Sequence, residues 1–232
     1  MERVQPIEQQ LAEGLRALGL DLPPGAQQQL LAYTALLCKW NKTYNLTALR
    51  SEQQMLSHHL LDSLSILPQL IKQADQLCEQ PAQNGHLFHL LDVGSGGGFP
   101  GIPLAIARPD WMFTLLDSNS KKTAFLQQAS IELGLGNVVV HCGRVEQYPK
   151  SVLFSAIVAR AFSSLFEFVS LSQTLLQADG RWLAMKGAWP QEELDALAQQ
   201  AIATVDVVHR LVVPGLDAER HLVVLRHGRA TP

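Results

Sequence analysis

The densest chemistry in the chain lies in ten consecutive residues, Asp92-Val93-Gly94-Ser95-Gly96-Gly97-Gly98-Phe99-Pro100-Gly101. Glycine lets a backbone take positive φ and come close to a ligand, and the free amides of a following helix start favour negative or polar groups. Such a loop can cradle a cofactor. Gly96-x-Gly98-x-x-Gly101 satisfies the dinucleotide pattern G-x-G-x-x-G, whereas Asp92-x-Gly94-x-Gly96-x-Gly98 satisfies the D-x-G-x-G-x-G of S-adenosylmethionine-dependent enzymes. The second frame is preferred, because it sets its acid at the end of an apolar run and starts the glycines at once, while the first forces Pro100 into the turn. Asp117 ends the next apolar run, about 20 residues on, where a carboxylate can accept both ribose hydroxyls of an adenosine. That role suits either cofactor. A ligand-free glycine turn is the plain alternative, disfavoured by the backbone entropy such a loop costs.

Other residues offer weaker chemistry. No acidic residue stands between Asp21 and Glu52, while Lys39, Lys42 and Arg50 do, with Trp40, Tyr44 and Asn45 interleaved. That composition suits a face for nucleic acid, with packing of the two aromatics onto the core as the bland reading. His58 and Asp62 stand four apart and could share a metal, but no third ligand lies near them, so a helix-surface hydrogen bond or an RNA contact is the better expectation. No metal site is expected. Lys121 and Lys122 open a helix where cations oppose its dipole, which leaves room for a phosphate-facing role.

The elements that must hold these groups fall into two parts. Apolar residues at Ile7, Leu11, Leu15 and Leu18 make a helical stripe ending near Gly19. The spacing predicts a second helix from Ala26 to about Trp40, with Leu30, Thr34, Leu37 and Asn41 on one face and Tyr33 beside it, and a third from Glu52 to Ile71, kinked near Pro68. Glu79 to Gly85 reads as a polar linker. Beyond it the pattern alternates: strands at His86–Val93, Met112–Asp117, Val138–His141, Phe154–Ala159, Arg181–Lys186, Val205–Val213 and His221–Arg226. The helices between them are expected at Ile102–Arg108, Ser120–Leu133 capped by Ser120, Leu165–Leu176 and Pro190–Ala201. Repeated strand-helix order implies an α/β fold, a mostly parallel sheet covered by helices on both faces. The last two strands lack a helix between them and should pair antiparallel at one edge, through a loop of about seven residues.

Composition bounds the answer. The 232 residues suit one large domain or a core with an extension, and 47% hydrophobic content is enough to bury a core. Eighteen Lys plus Arg against 21 Asp plus Glu excludes a uniformly basic coat, so any nucleic-acid contact must be a local patch. The three cysteines, Cys38, Cys78 and Cys142, form no C-x-x-C pair and read as buried thiols of a reducing compartment. With no signal-like segment and no long apolar run, a soluble cytoplasmic protein is expected.

Further segments carry a resemblance: Lys39-Trp40-Asn41-Lys42-Thr43-Tyr44-Asn45-Leu46-Thr47, His59-Leu60-Leu61-Asp62-Ser63, Asp92 through Leu104, Leu115-Leu116-Asp117-Ser118, Arg160-Ala161-Phe162, Lys186-Gly187 and Glu219-Arg220-His221-Leu222-Val223-Val224. In order and spacing, over nearly the whole chain, they resemble the bacterial 16S ribosomal RNA guanine-N7 methyltransferases. Gly97 departs from the pattern, standing where many relatives carry proline. The resemblance implies a class I methyltransferase sheet over residues 86–232 with an N-terminal helical extension over 1–80. It further implies transfer of a methyl group from S-adenosyl-L-methionine to N7 of guanine 527 of 16S rRNA, within the 30S subunit or an assembly intermediate, by a monomer.

Carried residue by residue, it puts cofactor contacts at Gly94, Phe99, Val145, Glu146 and Arg160, beside Asp92, Gly96, Gly98 and Asp117 of the glycine frame. Substrate contacts are expected at Lys39, Lys42, Asn45, His59, Asp62 and Lys186. Guanine N7 offers an unprotonated in-plane lone pair, so transfer needs alignment and no general base. N7 is also hidden in the deep groove of A-form RNA, so the target must lie in a loop or leave its stack. Arg160, at the end of the fourth strand, is the expected catalytic residue. Its bland reading is a structural ion pair with Asp92 or Glu146. An NAD-dependent oxidoreductase would need a substrate domain after the nucleotide fold, for which no chain remains. A non-catalytic RNA-binding module would leave the glycines and Asp117 idle.

Overall fold

A computed structural model describes residues 5–78 and 87–228 of the chain. The expected linker over 79–85 lies outside the described residues. Seven strands form one sheet: β1 (His89–Val93), β2 (Met112–Asp117), β3 (Val138–Cys142), β4 (Phe154–Arg160), β5 (Leu176–Lys186), β6 (Ala203–Leu211) and β7 (Arg220–His227). Their spatial order is β3-β2-β1-β4-β5-β7-β6. The first five run parallel, and β7 slots between β5 and β6, antiparallel to both. The α/β reading with an antiparallel hairpin at one edge holds, and the connecting segment is residues 212–219.

Side chains alternate across the sheet, as a period of two requires. Leu90, Phe113, Leu115 and Val158 face one apolar cluster; Leu91, Leu116, Ile157 and Ala159 face the other. The first cluster also takes in Leu11, Leu30, Tyr33 and Leu60 of the N-terminal helices, and the second is closed by Phe168 and Leu197. On the first face, α1 (Ile7–Ala17) and α2 (Ala26–Tyr44) lead into α6 (Gly101–Ala107) and α7 (Ser120–Glu132), and α2 packs on both. On the second face lie α8 (Leu165–Ser172) and α9 (Gln191–Gln200).

Between α2 and the sheet, the helical stretch expected from Glu52 to Ile71 is instead four pieces: α3 (Glu52–Met55), a π-helical segment (Leu56–Leu61), α4 (Asp62–Leu64) and α5 (Leu67–Cys78). The break expected near Pro68 falls at Ser65 and Ile66, just before it. Proline has no amide hydrogen to give and a preset φ, so it suits the first turn of a new helix, and Ser65 Oγ, donating to the Asp62 carbonyl at 2.6 Å, satisfies the end of the preceding one.

Three smaller expectations are corrected. The cap of α7 is Asn119, whose Oδ1 accepts from the amides of Lys121 and Lys122, and not Ser120. The helix expected to reach Leu176 stops at Ser172, whose hydroxyl accepts from the buried Trp182 indole at 2.9 Å, and β5 begins at Leu176, five residues early. Cys142 is exposed and Cys38 half-buried, so the thiols of these two are not core groups. No helix among the described residues is long and apolar enough to cross a membrane.

Candidate active site

The loop after β1 folds back on β2, with the amides of Gly94 and Ser95 both donating to the Leu116 carbonyl at 2.8 and 3.0 Å. Gly94, Gly96 and Gly98 have φ of 73°, 59° and 90°, so all three glycines of the D-x-G-x-G-x-G frame sit where L side chains are strained. Gly101 has another reason to be glycine: a Cβ there would lie 2.1 Å from Leu115 and 2.7 Å from Asp92 Oδ2. The two sequence frames therefore describe two jobs of one loop, backbone conformation and close helix-to-strand packing.

Two carboxylates hold the loop. Asp92 is fully buried, and its Oδ2 accepts from the Gly101 amide at 2.9 Å. Burial pushes its carboxyl up to about 7, against the pull of the Gly101 amide and of Arg160. Its Oδ1 is buried without a partner among the described residues. Asp117 accepts from the Gly96 amide at 2.9 Å and from Asn119 at 2.8 Å, with Lys122 Nζ at 3.9 Å. Each of its oxygens keeps a second lone pair. Val145 is buried in the short 3-10 turn that follows β3, and Glu146 beside it is exposed.

Phe99 is the seam between this loop and a second region. Its ring is buried, stacks on the His59 imidazole at 4.4 Å and lies 5.1 Å below the Arg160 guanidinium. Arg160, the last residue of β4, donates through Nη1 to the His58 carbonyl (3.2 Å), to His59 Nδ1 (3.3 Å) and to Asp62 Oδ2 (3.2 Å). Its carboxylate partner is thus Asp62, and not Asp92 or Glu146. The next residue, Ala161, has φ 59°, a strained backbone position for a residue other than glycine, and also lines the cavity described below.

Asp62 is a buried hub, not a helix-surface group: its Oδ1 also accepts from Arg220 Nε at 2.9 Å. His59 is engaged at both ring nitrogens: Nδ1 lies 3.0 Å from the His58 carbonyl and 3.3 Å from Arg160 Nη1, and Nε2 lies 2.7 Å from Thr47 Oγ1. Burial and the neighbouring Arg160 charge hold that imidazole down at about 4, so it is neutral at physiological pH.

These groups line an open cavity of about 510 Å³ with Thr47, His59, Asp62, Arg160, Lys186 and Arg220 on its wall. Lys186 is tied to Glu193 at 2.7 Å and 2.9 Å. The structure therefore brings Arg160, His59, Asp62 and Lys186 together. It does not bring Lys39, Lys42 or Asn45 to that wall: they lie exposed along the last turns and at the C-cap of α2, where Asn45 accepts from Arg50 at 3.0 Å. Trp40 packs on Phe125 with ring centroids 5.6 Å apart, whereas Tyr44, 5.2 Å from Trp40, is 44% exposed. No group of three His, Cys, Asp or Glu able to hold a metal occurs among the described residues.

Sequence reasoning passed over three contributors. Tyr33, fully buried on α2, donates its hydroxyl to the Gly97 carbonyl, so the N-terminal helices buttress the glycine loop directly. Asn41 donates to the Leu49 carbonyl and accepts from Thr47 N, each at 2.9 Å, fixing the chain that presents Thr47 to His59. Arg220 completes the Asp62 hub. The signal for the last two was present, since both stand inside the matched segments; Tyr33 looked like one more apolar position on a helix.

A family pattern described as GidB, rRNA small subunit methyltransferase G, matches residues 26–223. The Ribosomal RNA small subunit methyltransferase G of Neisseria meningitidis serogroup C (strain 053442) is 54% identical over 219 residues, covering 94% of this chain and 98% of that one. The protein of the same description from Chromobacterium violaceum is 51% identical, covering 92% and 95%. Among solved structures, a ribosomal protein L11 methylase from Lactobacillus delbrueckii subsp. bulgaricus superposes with a TM-score of 0.50 at 13% identity, over 69% of this chain and 79% of that one. At that identity the likeness speaks for the fold alone.

Proposed function

The chain belongs to the GidB family of rRNA small subunit methyltransferases, and from that premise we propose that it methylates N7 of guanine 527 of 16S rRNA with S-adenosyl-L-methionine as donor. The observation that carries the reading is the seam at Phe99, whose backbone belongs to the glycine loop while its ring supports His59 and Arg160 of the adjoining cavity. A donor in the loop and an acceptor in the cavity then meet at one point.

The loop suits that donor. A Cβ at Gly94 would meet nothing within 4 Å, so the loop has an open side on which a ligand can lie. Asp117 offers spare lone pairs at a strand end for ribose hydroxyls, and the orphaned Oδ1 of Asp92 offers a buried acceptor. Asp92, Gly94, Gly96, Gly98, Phe99, Asp117, Val145 and Glu146 are the residues we assign to it. When bound, the donor supplies an electrophilic methyl on a sulfonium.

Every ionisable group named on the cavity wall is already engaged: Asp62 by two arginines, Lys186 by Glu193, and His59, held neutral, by Thr47 and Arg160. None of these three is free to take a proton, which suits an acceptor whose lone pair needs no base. The work left is positioning. Arg160 uses Nη1 for all its described bonds, and the rest of its fork can donate to the O6 of a guanine whose N7 stays free. Lys39 and Lys42 would hold RNA outside the cavity by charge, and Asn45 by hydrogen bonding. The same reading makes residues 1–80 a helical extension of a catalytic domain over 86–232, and the protein a cytoplasmic monomer acting on the 30S subunit or an assembly intermediate.

Methyl transfer to 30S subunits lacking the modification, followed by borohydride reduction and aniline cleavage, tests the assignment. A single new break at guanine 527 is expected, because 7-methylguanosine has a labile glycosidic bond. Reconstituted RNA with 7-deazaguanosine at that position should bind and accept no methyl group. Transfer to the 7-deaza substrate would move the acceptor to another atom.

A further inference from the structure

One exposed aromatic stands close to the cavity and has no part in the site so far. Trp189 is 51% exposed, in the segment between β5 and α9, two residues after Gly187 of the cavity wall. Consecutive Cα atoms are about 3.8 Å apart, so its backbone is within roughly 8 Å of that wall. The indole is nonetheless fixed. Its Nε1 donates to Gln191 Oε1 at 3.0 Å, and its ring meets the buried His221 imidazole at 5.5 Å and 89°. His221 Nδ1 in turn bonds the Gly187 carbonyl at 2.7 Å, which ties the segment back to β7.

The register across the sheet adds charge to the aromatic. His221 stands directly opposite Lys186 on β5 and Arg210 on β6, so the three form one row on a single face, with the indole against its centre. Lys186 is neutralised by Glu193, whereas Arg210 is exposed and forms no ion pair among the described residues. A half-exposed indole packed on His221 and an unpaired arginine opposite that same residue match what a single-stranded nucleotide needs, a flat surface for the base and a cation for the phosphate.

We propose that Trp189 and Arg210 form a step beside the acceptor cavity that holds a nucleotide next to the one methylated, Trp189 by stacking and Arg210 by phosphate contact. The proposal rests on the reading that the acceptor is RNA. A target drawn out of its stack leaves its neighbours unstacked as well, and a step of this kind replaces the lost stacking.

Steady-state methyl transfer to unmodified 30S subunits, with donor affinity measured in parallel by calorimetry, tests it. Trp189→Ala should raise the KM for 30S about tenfold, the loss typical of one base-aromatic stack, with kcat within twofold and donor affinity unchanged. Trp189→Tyr should restore most of the loss and Trp189→Leu should not. Arg210→Gln should lower the slope of log(kcat/KM) against log salt by about 0.7, one single-strand phosphate contact. Wild-type transfer with an unaltered KM in Trp189→Ala, or equal rescue by Leu and Tyr, overturns this proposal alone. No transfer by the wild type overturns the RNA reading, and the step with it.

Discussion

The glycine loop occupies one continuous stretch, 94–100, and takes its shape from three residues at positive φ, whereas the cavity beside it draws its wall from five segments spread between Thr47 and Arg220. One is set by local backbone chemistry. The other exists only when ion pairs such as Arg160 to Asp62, 98 residues apart in sequence, have closed. The contrast teaches that two halves of one site can fail independently: the loop by a single side chain placed in it, the cavity by the loss of a charge far from it in sequence.

The largest expected effect comes from forcing a side chain into the loop. Gly96→Val should remove donor binding altogether, since a β-branched residue resists φ 59° and its Cβ would lie 3.8 Å from the Gly94 carbonyl oxygen, inside the loop. Near-native circular dichroism should accompany that loss. Retention of donor affinity by calorimetry would break the comparison at its first term.

Next in size is Asp62→Asn, which leaves two guanidinium groups around a neutral amide. Removing one partner of a buried pair costs about 3–5 kcal/mol, but both arginine side chains are roughly a quarter exposed, which reduces that to about 2 kcal/mol. Turnover should fall about a hundredfold as Arg160 loses its anchor, with donor affinity within threefold of wild type. A matching loss of donor affinity would show that the two regions are one cooperative unit.

The smallest effect is in pH. His59 titrates near 4 in the fold against 6.5 outside it, so its contribution to stability, complete above 6.5, is lost as pH falls toward 4. Asp92 does the reverse: raised from 3.8 to about 7, it favours the fold at low pH and loses that contribution as pH rises through 7. The two oppose each other between about 4 and 6.5. Calorimetric melting of His59→Gln should therefore fall less on acidification than that of the wild type, and parallel curves would show that the imidazole is not held in its buried, neutral state.

The same contrast explains what could be read in advance. Strand β2 was legible to the residue, and the glycine frame with Asp117 was legible because pattern and function share one stretch of chain. Asp62 was expected on a helix surface and proved a buried hub, because nothing local tells a helical carboxylate that two arginines will arrive from β4 and β7. Arg160 was placed at the right strand end with the wrong partners for the same reason. Tyr33 was hidden by its own apolar ring, whose hydroxyl matters only once Gly97 is beside it.

The π-helical turn over Leu56–Leu61 has a consequence for how such a chain can change through descent. Each residue of an α-helix advances the direction of its side chain by about 100°, and a turn closed from i to i+5 holds one residue more than its neighbours. Everything after it is rotated by that one step relative to everything before it. Exchange of one apolar residue for another in α3 leaves the rotation intact, whereas loss of a single residue anywhere in the turn would swing Asp62 about 100° away from both arginines. Selection on this segment therefore acts on its length more strictly than on its composition, and the turn counts residues.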